Sequence, residues 1–239
     1  MRVAYFDCSG GISGVASLAA LIDAGADSNS LSKELEFLGV DVPIMSTEEV
    51  VLGEFRVRCV SIEGGSASVG RRPTDLEALL TAGRLPDAAR DLALRIYGRL
   101  AEAEARVHGS SPEAVTFHEV GSLRSVVGVV GTALALGQLG VDEVVSSPVP
   151  YGRGAVQTEH GRLVVPTPAT LELLQGLPVE PQEEPGELVT PTGAAILVAA
   201  AASFGEIPAM TIENVGYGTG DLRGAPIVLR VVIGRRDSS

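Results

Sequence analysis

One stretch of this chain has a single plausible way to fold. Ala89, Leu92, Ala93, Ile96, Leu100, Ala103 and Val107 recur at helical spacing. That apolar stripe predicts one long amphipathic helix over 86–107, closed by His108-Gly109. A face of that length needs other elements of the same domain to cover it. The strongest strand signal lies near the far end, in IVLRVVI within 226–233, with a further strand expected over 209–217. Residues 2–6, RVAYF, read as a buried strand entering a glycine-rich turn. From Ile12 the apolar positions Val15, Leu18, Ala19 and Ile22 return to helical spacing, with Gly25 as the stop.

Between these anchors the pattern alternates. A helix is expected over Ser30–Leu38, and one or two strands over 50–62 on Phe55, Val57, Cys59 and Val60. A glycine-rich flexible loop is expected over 63–74. Val126, Val127, Val130 and Leu134 predict a helix over Ser122–Leu139. Short strands are expected near 143–147 and 162–165, a short helix over Pro168–Leu174, and another proline-started helix over 191–203. Helices and strands mix without a clean βαβ repeat. The expectation is an α/β or α+β fold with a mixed sheet flanked by helices. It forms one domain over 1–239, with the 63–74 loop as a candidate subdomain boundary.

Charge and composition exclude several functions. Eighteen basic residues against 30 acidic ones give a formal charge of −12, which argues against nucleic acid and anionic membranes as general partners. Trp is absent and aromatics are 4%, so extensive base stacking is not expected. Lys33 is the one lysine, a coding bias with no mechanistic content. Cys8 and Cys59 are too few for a disulfide framework and match no zinc spacing. The start MRVAYFDCSGG lacks a signal-peptide stretch, and the longest apolar run, 194–202, is too short to span a bilayer. A cytoplasmic location is expected.

Five constellations carry candidate chemistry. Asp7-Cys8-Ser9-Gly10-Gly11-Ile12-Ser13-Gly14 joins a strand to a helix N-terminus. Its inward amides suit a phosphate or carboxylate, although it is neither a P-loop nor G-x-G-x-x-G; a plain tight turn is the alternative. Thr116-Phe117-His118-Glu119-Val120-Gly121 sets a histidine beside a carboxylate at a helix entry, as general base, metal ligand or cap. Arg124 in the first turn of that helix opposes the helix dipole unless an anion is nearby, or is simply exposed. The third is Tyr151-Gly152-Arg153-Gly154 with Glu159-His160-Gly161, a preorganised loop or an ordinary turn. The fourth, Thr190-Pro191-Thr192-Gly193, either binds an anion or caps a helix. The fifth, Gly216-Tyr217-Gly218-Thr219-Gly220-Asp221, reads as a glycine-rich turn carrying one phenol. The three histidines, His108, His118 and His160, are far apart in sequence, with His108 most simply a cap. There is no G-x-S-x-G elbow.

Taken in order, YFDCSGGISG (5–14), LAEAEARVHG (100–109), FHEVGS (117–122), SSPVPYGRG (146–154), EHGRLVVPTPATLELLQG (159–176), GELVTPTGAAIL (186–197) and GYGTG (216–220) resemble the LarC family of nickel-insertion proteins. The resemblance implies a LarC N-terminal-domain-like fold. It also implies insertion of nickel into a pyridinium bisthiocarboxylic acid mononucleotide, with formation of carbon–metal and sulfur–metal bonds. CTP and a divalent metal such as manganese would be used by a C-terminal domain. That domain is expected to be absent here or supplied by a separate polypeptide. His118, Glu119 and Asp7 are the catalytic candidates. Cys8, Ser9, Gly10, Gly11, Ser13, Arg124, Tyr151, Arg153, His160, Thr190, Thr192 and Tyr217 are the substrate-binding candidates. Any metal would fall to Asp7, His118, Glu119 and His160.

The chain departs from the family pattern where carboxylates are expected. The 61–74 loop holds no histidine. Gly14-Val15-Ala16 stands for Gly-Asp-Met, and Leu123-Arg124-Ser125-Val126-Val127-Gly128 for Val-Asp-Ser-Ile-Val-Asp. Positions 124 and 128 would share a helix face, so three potential ligands of a hard cation are replaced and one cation is gained. An anionic organic group held by Arg124 then becomes the expected ligand. Two other readings stay open. One is a metal-independent cyclase, isomerase or lyase of specialised metabolism using His118 as acid or base. The other is a non-catalytic small-molecule-binding paralogue. A homo-oligomer is compatible with all three.

Overall fold

The computed structural model describes residues 1–36, 45–62, 70–220, 222 and 226–236. Its centre is a seven-stranded mixed sheet. Strand β1 (Arg2–Asp7) lies at the heart, followed after a 3-10 turn (Cys8–Gly10) by helix α1 (Gly14–Asp23) and helix α2 (Ser28–Glu36). Strands β2 (Met45–Leu52) and β3 (Phe55–Ile62) form an antiparallel hairpin. Helices α3 (Pro73–Ala82), α4 (Asp87–His108) and α5 (Leu123–Gln138) follow. Then come β4 (Glu143–Ser146), β5 (Val149–Arg153), β6 (Ala155–Thr158), β7 (Gly161–Val164), α6 (Pro168–Leu174) and β8 (Val179–Pro185). The chain continues with α7 (Pro191–Ala200), β9 (Ala201–Phe204), β10 (Thr211–Thr219) and β11 (Leu229–Arg235). The sheet order is β2-β3-β10-β11-β1-β4-β9, with β5-β8 and β6-β7 as separate pairs. β1 runs antiparallel to β11 and parallel to β4. The α/β expectation with a mixed sheet is met.

Alternation along the strands explains how the layers form. On β1, Ala4 and Phe6 join the large helix-covered core, whereas Val3 and Tyr5 join a small cluster with Val145 and Val232. The predicted stripe of α4 is buried from Ala89 to Ala103, while Val107 is exposed at its end. Helix α4 packs on α5, α6 and α7, and α1 lies between α5 and the sheet.

Three expectations are corrected. The predicted turn at Gly216–Gly220 is strand β10 through Thr219. Its glycines serve close approach: a Cβ at Gly216 or Gly218 would run into the Ala20 backbone of α1. The predicted helix 191–203 stops at Ala200, and the chain goes directly into β9. The predicted 63–74 loop ends earlier than expected, because Pro73 starts α3, where Asp75 Oδ2 accepts from the Arg72 amide at 2.9 Å. Positions 63–69 of that loop, Asp221 and the end of the predicted 30–38 helix lie outside the described residues.

Candidate functional site

Three helix N-termini meet in one place. Ser13 caps α1 by accepting from the Ala16 amide at 3.1 Å. Ser122 caps α5 by accepting from Ser125 at 3.3 Å, and Thr190 caps α7 by accepting from Gly193 at 3.1 Å. The loops before α1 and α7 are zipped together. The Ile12 amide donates to the Leu188 carbonyl at 2.8 Å, and the Thr190 amide to the Ile12 carbonyl at 3.1 Å. Ser125 Oγ and Thr192 Oγ1, 3.3 Å apart, tie α5 to α7. The three caps, with Arg124, Ser125 and Thr192, line a hollow of about 170 Å³. Helix N-termini turn positive dipole ends and free amides toward it, so the hollow favours an anion. The exposed Arg124 guanidinium donates to the Gly220 carbonyl.

A second hollow of about 250 Å³ opens beside the first, and Glu119, Val120, Glu187 and Pro191 line both. All three histidines line it. His108 is the last residue of α4. His118 follows Phe117, whose buried ring rests 6.0 Å from that of Tyr97 and whose backbone pairs with Arg71. His160 sits between β6 and β7, where the Thr158 hydroxyl accepts from its amide at 3.1 Å. The His108 and His160 ring centroids are 5.1 Å apart, and those of His118 and His160 5.7 Å. His118 Nδ1 lies 3.1 Å from Glu159 Oε2, and His108 Nε2 3.4 Å from Glu104 Oε2. Apolar Val107, Val120, Val156, Leu163 and Ala169 complete the wall.

Four carboxylates face this hollow: Glu104, Glu119, Glu159 and Glu187. Burial, reinforced by the charge of Glu119, pushes the half-buried Glu187 carboxyl up to about 7. Burial likewise raises Glu104, opposed by His108, His160 and His118. The site can therefore exchange a proton near neutral pH and attract a cation. Among the described residues, no group of three or more His, Cys, Asp and Glu side chains is already arranged to hold a metal ion.

The structure gathers the residues singled out in the sequence into two sets. His118, Glu119 and His160 share the larger hollow, and Ser13, Arg124, Thr190 and Thr192 the smaller. Asp7, Cys8, Ser9, Gly10, Gly11, Tyr151, Arg153 and Tyr217 line neither. Asp7 accepts from the Ser9 amide at 3.1 Å and the Ser9 hydroxyl at 2.6 Å, and pairs with Arg230 on β11. Burial alone would raise its carboxyl; the bonds from Ser9 and Arg230 outweigh it and hold the group below its ordinary value. Cys8 is fully buried, and its thiol is pushed up to about 12 by desolvation. Gly10 passes so close to the Val228 carbonyl that a Cβ would collide with it. Tyr217 lies beside Arg230, and Tyr151 and Arg153 ride on β5.

Of the histidines and carboxylates lining the larger hollow, His108 was expected as a helix cap, and Glu104, Glu159 and Glu187 were not among the candidate site residues. Glu104 and His108 carried a signal, since they are i, i+4 neighbours on one helix. Glu187 stood only as a member of the GELVTPTGAAIL segment, with no partner at a telling spacing.

The family described as nickel insertion protein matches residues 4–239 of the chain. A putative nickel insertion protein of Geotalea uraniireducens (strain Rf4) is 44% identical over 240 residues, covering 99% of this chain and 62% of that protein. The pyridinium-3,5-bisthiocarboxylic acid mononucleotide nickel insertion protein of Desulfitobacterium hafniense (strain DSM 10664 / DCB-2) is 41% identical over 236 residues, covering 98% and 58%. A putative nickel insertion protein of Rhodopirellula baltica is 42% identical over 236 residues, covering 98% and 60%. The chain thus spans about three-fifths of the length of the relatives it matches. No solved structure matches it.

Proposed function

This chain belongs to the nickel insertion protein family, and on that premise we propose that it forms the substrate- and nickel-handling part of an insertase acting on a pyridinium bisthiocarboxylate mononucleotide. One observation carries the proposal: a hollow that favours anions shares a wall with a hollow rich in imidazoles and carboxylates. A pyridinium mononucleotide has the same two poles. Its phosphate suits the capped helix ends and Arg124, with Ser13, Thr190 and Thr192 as donors. Its flat ring suits the wall of Val107, Val120 and Val156 beside the histidines.

Putting nickel on a ring carbon flanked by two thiocarboxylates releases one proton for each carbon–nickel bond formed. That proton needs an acceptor beside the metal. Glu119 and Glu187 at the shared wall are suited to take it. We read Asp7, with Ser9 and Arg230, as positioning the glycine loop, and Cys8 as core. A cytoplasmic location fits this reading, and no helix among the described residues is long and apolar enough to cross a membrane. The resemblance assigns CTP and its divalent metal to a separate region or polypeptide. No observation favours the metal-independent enzyme or the non-catalytic paralogue.

The test is to incubate the protein with the pyridinium bisthiocarboxylate mononucleotide and NiCl2, with and without CTP, manganese and the remaining part of a relative. Mass spectrometry should show gain of one nickel with loss of the ring proton. An unchanged substrate mass in every mixture, with no mononucleotide binding by calorimetry, overturns the proposal.

A further inference from the structure

We infer that His108, His118 and His160 form a three-imidazole site for a borderline divalent cation of the nickel class, with Glu104 and Glu159 behind two of the rings. For the identity of the ion, the inference rests on the insertase reading; for the site itself, it rests on geometry. The sequence spreads these residues over a helix end, a loop and a hairpin tip, and the fold makes them neighbours.

A coordinating imidazole nitrogen stands about 2.1 Å from its metal, which puts the ring centre roughly 3.2 Å away. Two such rings at octahedral to tetrahedral angles then have centres roughly 4.6–5.3 Å apart. The His108–His160 separation of 5.1 Å lies inside that range, and the His118–His160 separation of 5.7 Å exceeds it by a few tenths. The His160 ring therefore stands at or near coordinating separation from each of the other two, while the donor atoms of the described residues are not arranged around a common point. Turning a ring about Cβ–Cγ swings its nitrogens with little movement of its centre, and that torsion is soft in histidine.

Nitrogen use points the same way. Ligating histidines commonly donate their second N–H to a carboxylate, which fixes the tautomer and strengthens the ligand. Glu159 takes His118 Nδ1 and Glu104 takes His108 Nε2. That leaves Nε2 of His118 and Nδ1 of His108 for the metal. Among the described residues, neither ring nitrogen of His160 is engaged in a hydrogen bond or ion pair. Imidazole suits nickel among the divalent ions, and the four surrounding carboxylates favour a cation over an anion here. None of the replaced positions 15, 124 and 128 is needed for this site.

The test uses untagged, chelator-treated protein titrated with NiCl2 alone. Calorimetry should give one nickel per chain. Nickel should broaden the imidazole NMR signals of all three histidines. H108A and H160A, both at exposed positions, should each weaken binding at least tenfold while leaving the circular dichroism spectrum unchanged. E104Q and E159Q should weaken it about tenfold while retaining the stoichiometry. Wild-type nickel affinity in both H108A and H160A, or broadening confined to His118, overturns the site. So does the absence of nickel binding by folded protein. Mononucleotide binding measured without nickel separates the two readings: if it persists when nickel binding fails, this site falls and the substrate reading stands. If nickel binds as described and the mononucleotide does not, the site stands and the insertase reading falls.

Discussion

Gly128 on α5 packs directly on Gly14 of α1: a Cβ added at 128 would stand 2.8 Å from the Gly14 carbonyl carbon and 3.0 Å from the Val15 amide nitrogen. The helices touch through their backbones, and this contact holds the N-termini of α1 and α5 at one hollow. A carboxylate at 128 in this packing would drive α1 away rather than line a cation site. Gly128→Asp should therefore lower stability toward the upper end of roughly 1–3 kcal/mol for overpacking. Urea unfolding should show a lower midpoint at an unchanged slope. An unshifted midpoint would mean that the two helices move apart freely.

Arg124 stands at the mouth of the same hollow, bonded to the Gly220 carbonyl. Removing one charged donor from an exposed anion site should weaken binding about tenfold. Arg124→Ala should raise the dissociation constant for a pyridinium mononucleotide by that factor and leave nickel affinity unchanged. Calorimetry with each ligand separately checks both halves. Equal mononucleotide affinity in the variant would make Arg124 a surface residue.

How much of this was legible in the chain depends on how local each signal is. The α4 stripe and the alternation of β11 are set by near neighbours, and both were readable. The glycines of β10 look like a turn until α1 is laid across them, because close approach to a distant backbone leaves no local mark. Residues 191–203 are apolar throughout, so neither period marks where α7 gives way to β9. The site follows the same rule. His118-Glu119 and the Thr190 cap were visible as motifs, but the histidine cluster exists only because the β6–β7 tip reaches the end of α4. Glu187 is significant because of what it faces across a hollow, which spacing along the chain does not encode.

Glu187 makes stability fall as pH rises. Its folded-state value near 7 lies above the ordinary 4.5 of a glutamate, so between these values the folded state holds a proton that the unfolded state has released. The contribution is fully present below about 4.5 and is lost by about 7. Glu187→Gln removes this penalty. It should raise stability at pH 8 by roughly 1–2 kcal/mol relative to the parent, with no gain at pH 4.5. Thermal unfolding of both proteins across that range is the measurement, and parallel profiles would show that Glu187 titrates normally.

Cys8 should be chemically silent. The thiol is fully buried, lies 3.7 Å from the Phe6 carbonyl oxygen it donates to, and is pushed up to about 12. The reactive thiolate is therefore scarce at pH 8. Iodoacetamide at that pH should leave Cys8 unmodified in native protein and label it fully in denaturant, read by peptide mass spectrometry. Native labelling would show that the glycine loop opens.

Asp7 gives the opposite pH dependence to Glu187. Its carboxyl is held below the ordinary value, so the stability it contributes is present above that value and is lost as pH falls through the folded one. Asp7 is buried and Arg230 is half-exposed, so solvent screens the pair in part. Asp7→Asn should cost about 1–2 kcal/mol at pH 7, and the difference should shrink toward zero in strong acid. The pairing also joins the end of β1 to β11, beneath the turn that leads to the Ser13 cap. The variant should therefore bind the mononucleotide more weakly while keeping its nickel affinity, because the histidine hollow is built from other elements. Equal loss of both ligands in a folded variant would instead place Asp7 at the reacting centre.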